Sequence, residues 1–276
     1  VSWRYLAVAT EAVLAAGAIQ KGKLGQRIEV RHKGEIDLVT EVDGACETEI
    51  VRLLRERFPD HDIVAEETHT ERRGSRFVWF VDPLDGTTNF AHGYPFFCSS
   101  VALTLDGVGV AGAVYDPVKE ELFTAERGGG AHLNGRRLGT SSSADLRRSL
   151  LVTGFPYDVH HKLDEALRLF NRFMGHARAI RRDGAAALDL SYLAAGRIDA
   201  FWEERLNLWD IAAGVLLVEE AGGRVSRFGG EALGLTAEEV LASNGPLHEA
   251  MLEVLAADRA SRAGASSPHS APGALV

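Results

Sequence analysis

Apolar residues recur close to helical spacing over residues 3 to 20, at Tyr5, Leu6, Val8, Ala12, Val13, Ala16 and Ile19, and this predicts an amphipathic helix. A second helical pattern runs from 43 to 58, with Cys46, Ile50, Leu53 and Leu54 on one face and Asp43 placed as its N-cap. Residues 61 to 65 and 77 to 81 are short apolar runs ended by acids, the form buried strands take when polar groups emerge at their tips. Residues 101 to 105, 108 to 115 and 121 to 124 read as an antiparallel succession, with Asp106-Gly107 as a hairpin turn. Gly128-Gly129-Gly130 and Asn134-Gly135 add further turns.

From about Ser149 the pattern changes to strands and helices in alternation: a strand over 150–153, a helix over 160–174, a segment over 185–195, a strand over 198–202 and a helix over 210–221. The expected organisation is an N-terminal α+β lobe over 1–148 and a C-terminal α/β lobe over 149–260. Residues 261–276 are rich in Ser, Ala, Gly and Pro without apolar periodicity, and read as a disordered tail.

Composition narrows the functional classes. A formal charge of -9 and a sequence pI near 5.6 argue against broad, charge-driven binding to nucleic acid or to an anionic membrane, both of which need a basic surface. No apolar run approaches the roughly 20 residues of a membrane span. Cys46 and Cys98 are the only cysteines; they cannot build a disulfide framework, and their scarcity fits a reducing, cytoplasmic compartment, with a single bridge between them left open.

The chemistry concentrates in acids placed at the ends of elements. In Trp79-Phe80-Val81-Asp82-Pro83-Leu84-Asp85-Gly86-Thr87-Thr88-Asn89-Phe90, two acids three apart close an apolar strand and meet a turn of small residues. Pro83 keeps Asp82 extended, so that Asp82 and Asp85 converge. Backbone amides near Gly86, Thr87 and Thr88, where they open a helix, form a donor nest suited to a phosphate oxygen. Glu66 and Glu67 end the preceding strand and reach the same sheet edge. Gathered carboxylates repel, and without a counter-ion at least one is driven to protonate. The only bases nearby in sequence, Arg72 and Arg73, lie in an expected loop. With no His or Cys cluster at zinc spacing, oxygen-liking Mg²⁺ is the natural occupant. Asp210, in Leu208-Trp209-Asp210-Ile211-Ala212-Ala213-Gly214, and Asp43, in Asp37-Leu38-Val39-Thr40-Glu41-Val42-Asp43, stand at two helix entrances. Taken singly, each acid reads as a turn former or a helix-end acid favoured by the dipole; their common destination changes that reading.

These four blocks, in this order and spacing, resemble the inositol monophosphatase family of lithium-sensitive phosphatases over roughly residues 5–258. The resemblance implies a layered αβαβα sandwich, a fold of mixed α/β and α+β character. It also implies a phosphoric monoester hydrolase holding two or three Mg²⁺, with Glu66, Asp82 and the Leu84 carbonyl on a first ion and Asp82, Asp85 and Asp210 on a second. Glu67 would support a third, weaker ion or the water near Glu66, and Asp43 with Thr87 would orient and deprotonate the attacking water. Gly86, Thr87 and Asp85 fall on the phosphate and substrate side, and Gly184, Ala186 and Glu203 line the alcohol portion. Glu204 adjoins Glu203, and the residues alone do not choose between them. Two metals about 3.5 to 4 Å apart suit an in-line displacement. The chain departs from the family pattern at Ala65, where many relatives have Gly, and around Lys33, which matches loosely.

The expected substrate is a small phosphorylated polyol or sugar, with myo-inositol 1-phosphate foremost. Fructose 1,6-bisphosphate, histidinol phosphate and nucleotide phosphates are the alternatives. The choice lies in the loops around 153–158 and 184–186 and in Glu203. A homodimer is implied by the relatives. A regulatory partner of transcription machinery is the competing class, disfavoured because a scaffold has no need of five clustered carboxylates.

Overall fold

The computed structural model describes residues 3–34, 37–67, 70–156, 159–234 and 237–265. The N-terminal half opens with α1 (Trp3–Lys23), a short hairpin of β1 (Val30–His32) and β2 (Leu38–Thr40), and α2 (Glu41–Arg57). It continues through β3 (Asp62–Ala65), β4 (Thr70–Glu71), β5 (Phe77–Asp85), α3 (Thr87–Ala91), β6 (Cys98–Leu105), β7 (Val108–Asp116), β8 (Glu121–Glu126), β9 (Gly130–Leu133) and β10 (Arg136–Arg137). The C-terminal half carries β11 (Leu150–Thr153), α4 (Leu163–Met174), β12 (Ala179–Arg181), α5 (Ala186–Ala194), β13 (Ala200–Glu204), α6 (Leu208–Glu220), β14 (Arg224–Ser226), β15 (Glu239–Ser243) and α7 (His248–Ala265).

Two sheets organise these elements. The larger has the order β10-β9-β8-β7-β6-β5-β3-β4 and the smaller β12-β11-β13-β15-β14. Among the described residues, only β3 and β5 pair in parallel in the larger sheet; in the smaller, β12, β11 and β13 do. The expected antiparallel run of β6, β7 and β8 is present with its turn at Asp106-Gly107.

Because side chains alternate across a strand, each sheet feeds two cores. Trp79 and Val81 of β5, Val101 and Leu103 of β6, and Ala111 and Ala113 of β7 pack with Val8, Ala12 and Val13 of α1 and Ile50 and Leu54 of α2. Their neighbours Ala102 and Val114 turn to the opposite face and meet α5 and α6 through Leu190, Leu193, Ile211 and Leu217. The same helices receive Val152, Phe201, Val240 and Ala242 from the smaller sheet. Its outer face packs Leu151, Trp202 and Leu241 against Leu169 and Phe173 of α4 and Met251 of α7. The layers therefore run helix, sheet, helix, sheet, helix, the αβαβα order expected from the sequence. Trp79, Phe80, Phe96 and Phe97 are core residues.

Several expectations shift. The helix read over 160–174 begins at Leu163, after a single 3₁₀ turn at Val159–His161, and the strand read over 198–202 lies at Ala200–Glu204. Residues 261–265, read as tail, continue α7, while 266–276 lie outside the described residues. Cys46 and Cys98 are free and belong to cores on opposite faces of the larger sheet, so the bridge left open does not form. Among the described residues no helix is long and apolar enough to cross a membrane.

Candidate active site

Strands β3 and β5 run side by side in parallel with Ala65 opposite Val81, so Glu66 and Asp82 leave the sheet at one edge. The Glu66 amide donates to the Val81 carbonyl at 3.2 Å, extending the ladder to the acid itself. Beyond Val81 the pairing with β6 is irregular between Asp82 and Asp85. Pro83 removes a donor there, and two side chains take up its carbonyl: buried Gln20 of α1 donates through Nε2 at 2.9 Å, and Ser99 through Oγ at 2.9 Å. The Leu84 amide donates back to Asp82 Oδ1 at 3.0 Å. Gly86 then turns the chain at φ +91°, and a Cβ there would stand 3.0 Å from the Phe96 carbonyl oxygen. Only glycine satisfies both conditions.

Two further acids are fixed by helix capping. Asp43 is not the N-cap of α2, as the sequence suggested; that position is Thr40, whose hydroxyl accepts from the Val42 amide at 3.1 Å. Asp43, three residues on, closes the capping box, its Oδ2 accepting from the Thr40 amide at 2.8 Å and the Thr40 hydroxyl at 2.5 Å. That leaves Oδ1, which receives the Thr87 hydroxyl at 2.8 Å. Thr87 Oγ1 has the Leu84 carbonyl as its other acceptor, at 3.0 Å. Asp210 repeats the device at the head of α6, where its Oδ2 accepts from the Asn207 amide at 2.6 Å. Close contacts hold α6 between its neighbours. A Cβ on Gly112 of β7 would lie 3.1 Å from Ala213 Cα, and one on Gly214 would lie 2.6 Å from Leu190 Cβ of α5.

Asp85 joins the two halves: its Oδ2 accepts from the Ala187 amide in the first turn of α5 at 2.7 Å. Asn89 ties the same region together from α3, donating to the Phe96 carbonyl at 2.7 Å and the Asp183 carbonyl at 2.8 Å.

A cleft of about 330 Å³ results, lined by Glu66, Asp82, Leu84, Asp85, Gly86 and Thr87 from the first half and by Gly184, Ala186, Glu203 and Asp210 from the second. Ten of the twelve site residues expected from the sequence thus share one cavity wall. Asp43 stands fully buried behind Thr87 and reaches the cleft only through that hydroxyl. Glu67 turns away from the cleft to Lys33, and its amide is held by Glu47 Oε2 at 2.7 Å. Of the adjacent pair, Glu203 lines the cleft and Glu204 does not. Tyr157 and Asp158, in the loop expected to bear on substrate choice, lie outside the described residues.

Sequence reading missed several participants. The cation nearest the acids is Lys33, not Arg72 or Arg73: its ammonium lies 3.1 Å from Glu66 Oε1 and also pairs with Glu67. Gly154, Arg182 and Asp189 also line the cleft. The acidic residue within an apolar helix is the available signal for Asp189; for Lys33 the signal is the loose match to the family pattern around it, which does not name its partners.

Burial sets the electrostatics. It is the largest cause pushing Glu66 up to about 8, with Glu67 and Asp210 adding to the rise and Lys33 opposing it. Asp82 is driven well above the carboxylate range by burial and then by Glu66, Asp85 and Asp210. Asp85 and Asp210 are each pushed up to about 7 by burial, although the Ala187 and Asn207 amides pull them back. Glu203 rises to about 8, again by burial first, then by the charges of Asp210 and Asp85. Asp43 is also raised by burial, against its bonds from Thr40 and Thr87.

Among the described residues no three acidic, His or Cys side chains stand together as a ready metal cage. The acids ring a common cleft without closing on one point. Their chemistry nevertheless fits a hard divalent ion: every donor is oxygen, each raises its neighbours, and one ammonium faces several carboxylates.

Residues 3–262 match the model of the inositol monophosphatase family. The chain is 44% identical over 255 residues to inositol-1-monophosphatase of Synechocystis, covering 92% of this chain and 89% of that protein. It is also 47% identical over 233 residues to Nus factor SuhB of Pseudomonas aeruginosa, covering 83% and 86%. Among solved structures, inositol monophosphatase from Anabaena (Nostoc) superposes with a TM-score of 0.85 at 40% identity, covering 92% of this chain and 96% of that one.

Proposed function

The chain belongs to the inositol monophosphatase family, and from that premise we propose that it is a Mg²⁺-dependent phosphatase of small phosphorylated polyols, with myo-inositol 1-phosphate as the preferred substrate. One observation carries the reading: Glu66 after β3, Asp82 and Asp85 at the end of β5 and Asp210 at the head of α6 line a single cleft beside the Gly86-Thr87 turn. We further read the chain as a cytoplasmic homodimer whose lobes, 1–148 and 149–260, meet at this cleft.

Glu66, Asp82, Asp85, Asp210 and the Leu84 carbonyl would hold two Mg²⁺, with Glu67 near a third. When bound, the ions supply positive charge that neutralises phosphoryl oxygens and acidifies water. The chain's own task is then positioning and proton movement. Thr87 carries one proton between two acceptors, Asp43 Oδ1 and the Leu84 carbonyl. Handing that proton to Asp43 frees Thr87 Oγ1 to accept one from the attacking water, and burial raises the proton affinity of Asp43 above that of an ordinary carboxylate. The turn at Gly86 and Thr87 receives the phosphate. On the far wall the buried Glu203 carboxyl would face a substrate hydroxyl, and an acid there suits a polyol better than a second phosphate.

The test is turnover of a panel of phosphate monoesters with Mg²⁺ by the parent chain and by Asp82→Asn and Asp210→Asn. Both variants lose turnover, and inositol 1-phosphate leads the panel. Preference for a bisphosphate, a nucleotide phosphate or histidinol phosphate would move the substrate assignment within the family. The relative named Nus factor SuhB favours a second reading, a regulatory partner of transcription machinery. Undiminished turnover in both variants, together with capture of such a partner, would select it.

A further inference from the structure

Strands β11 and β13 run parallel with Thr153 opposite Trp202, and the Thr153 hydroxyl donates to the Trp202 carbonyl at 2.6 Å. One residue further along, Gly154 faces Glu203. A Cβ on Gly154 would stand 2.1 Å from Glu203 Oε1, 2.3 Å from Oε2 and 2.4 Å from Cδ. The whole carboxylate therefore lies flat against the Gly154 main chain. Gly154 is absent from the residues with positive φ, so a side chain here would be opposed by the seated Glu203 carboxylate and not by backbone conformation. Glu203 is 8% exposed, and it lines the cleft together with Gly154.

Arg182 lines the same cleft, its guanidinium seated 5.9 Å from the centre of the Phe155 ring, next to Gly154. A methyl group at 154 would push the Glu203 carboxylate out of its present place.

We propose that Gly154 is a specificity-determining position, whose missing side chain lets the Glu203 carboxylate lie across the end of β11 and face the alcohol portion of the substrate. This rests on the reading of Glu203 as a hydroxyl contact. Gly154 acts through Glu203 and is a positioning residue.

The experiment compares kcat/KM for myo-inositol 1-phosphate with that for p-nitrophenyl phosphate, whose leaving group has no aliphatic hydroxyl, and reads their ratio. Loss of one hydrogen bond to a buried acid lowers the ratio about tenfold in Gly154→Ala and in Glu203→Ala alike. The double variant falls no further than Glu203→Ala, because the two changes remove one interaction. In Gly154→Ala/Glu203→Asp the acid is a methylene shorter, and both the ratio and the thermal midpoint recover toward the parent. An unchanged ratio in Gly154→Ala, or a further fall in the double variant, overturns the inference while leaving Glu203 in its role. An unchanged ratio in Glu203→Ala overturns the reading beneath it as well. Should Gly154→Ala fail to fold, the shortened-acid pair still decides: recovery of folded protein with its polyol preference supports the proposal, and failure to recover overturns it.

Discussion

Glu203 makes the electrostatics of the cleft measurable without substrate. Its carboxyl is pushed from 4.5 up to about 8, first by burial and then by Asp210 and Asp85. A carboxyl raised in the folded state stabilises fully below its unfolded pKa, and that stability is lost as pH rises through the folded value. The window is therefore pH 4.5 to 8. A span of about 3.5 pH units at about 1.4 kcal/mol each gives about 5 kcal/mol, and water entering the cleft reduces what is expressed to about 2 to 5 kcal/mol. Glu203→Gln keeps the shape and cannot ionise. In chelator, variant and parent should melt together near pH 5. The variant should be the more stable by roughly 5 to 15 °C at pH 8.5, at a few degrees per kcal/mol for a chain of this size. Calorimetric melts at pH 5, 6.5 and 8.5 provide the measurement. Parallel curves would mean that Glu203 is solvated and ionised throughout, and the account of the far wall would fall.

Chelator should abolish turnover, added Mg²⁺ should restore it, and excess Ca²⁺ should inhibit through its looser coordination; turnover unaffected by chelator would contradict the acid-lined site. Asp43→Asn and Thr87→Ala should each lower kcat by on the order of 10² to 10⁴ with little change in KM, and a double variant no worse than either single one would show that they act as one relay. Gln20→Leu removes both bonds that buried Nε2 makes, to the Pro83 carbonyl and Ser99 Oγ; the loss should be about 1 to 3 kcal/mol in urea unfolding, with kcat reduced because the Asp82–Asp85 turn loosens. Light scattering checks the homodimer, and a monomer mass would remove it.

What the sequence disclosed was whatever a local pattern can carry. The acids at Glu66, Asp82, Asp85 and Asp210 end apolar runs or open helices, so periodicity alone places them at tips, and the parallel pairing of β3 with β5 then brings two of the tips together. Asp43 was placed at the right helix but one role away. The capping box needs only Thr40 and an acid three residues later, and an Asp in place of the usual Glu hid it. Lys33 was opaque because its partnership depends on how a hairpin folds over a strand end 33 residues away. Gly154 was opaque for a related reason, since nothing next to it in sequence reports a carboxylate arriving from the parallel strand. The strand β14, three residues long, carries too few for a period to declare itself.

Asp85 has a second employment that outlasts its first. Its carboxylate caps α5 by accepting the Ala187 amide, so it fastens the first turn of a middle-layer helix to the turn at the tip of a strand in the other half. A descendant that gave up hydrolysis would still be selected to keep this acid, or to replace it with another acceptor such as Asn, simply to remain folded. Retention of Asp85 in a silent relative is thus weak testimony for chemistry, whereas Asp82, whose side chain accepts from the backbone of its own turn, is the acid whose loss would first betray an abandoned trade.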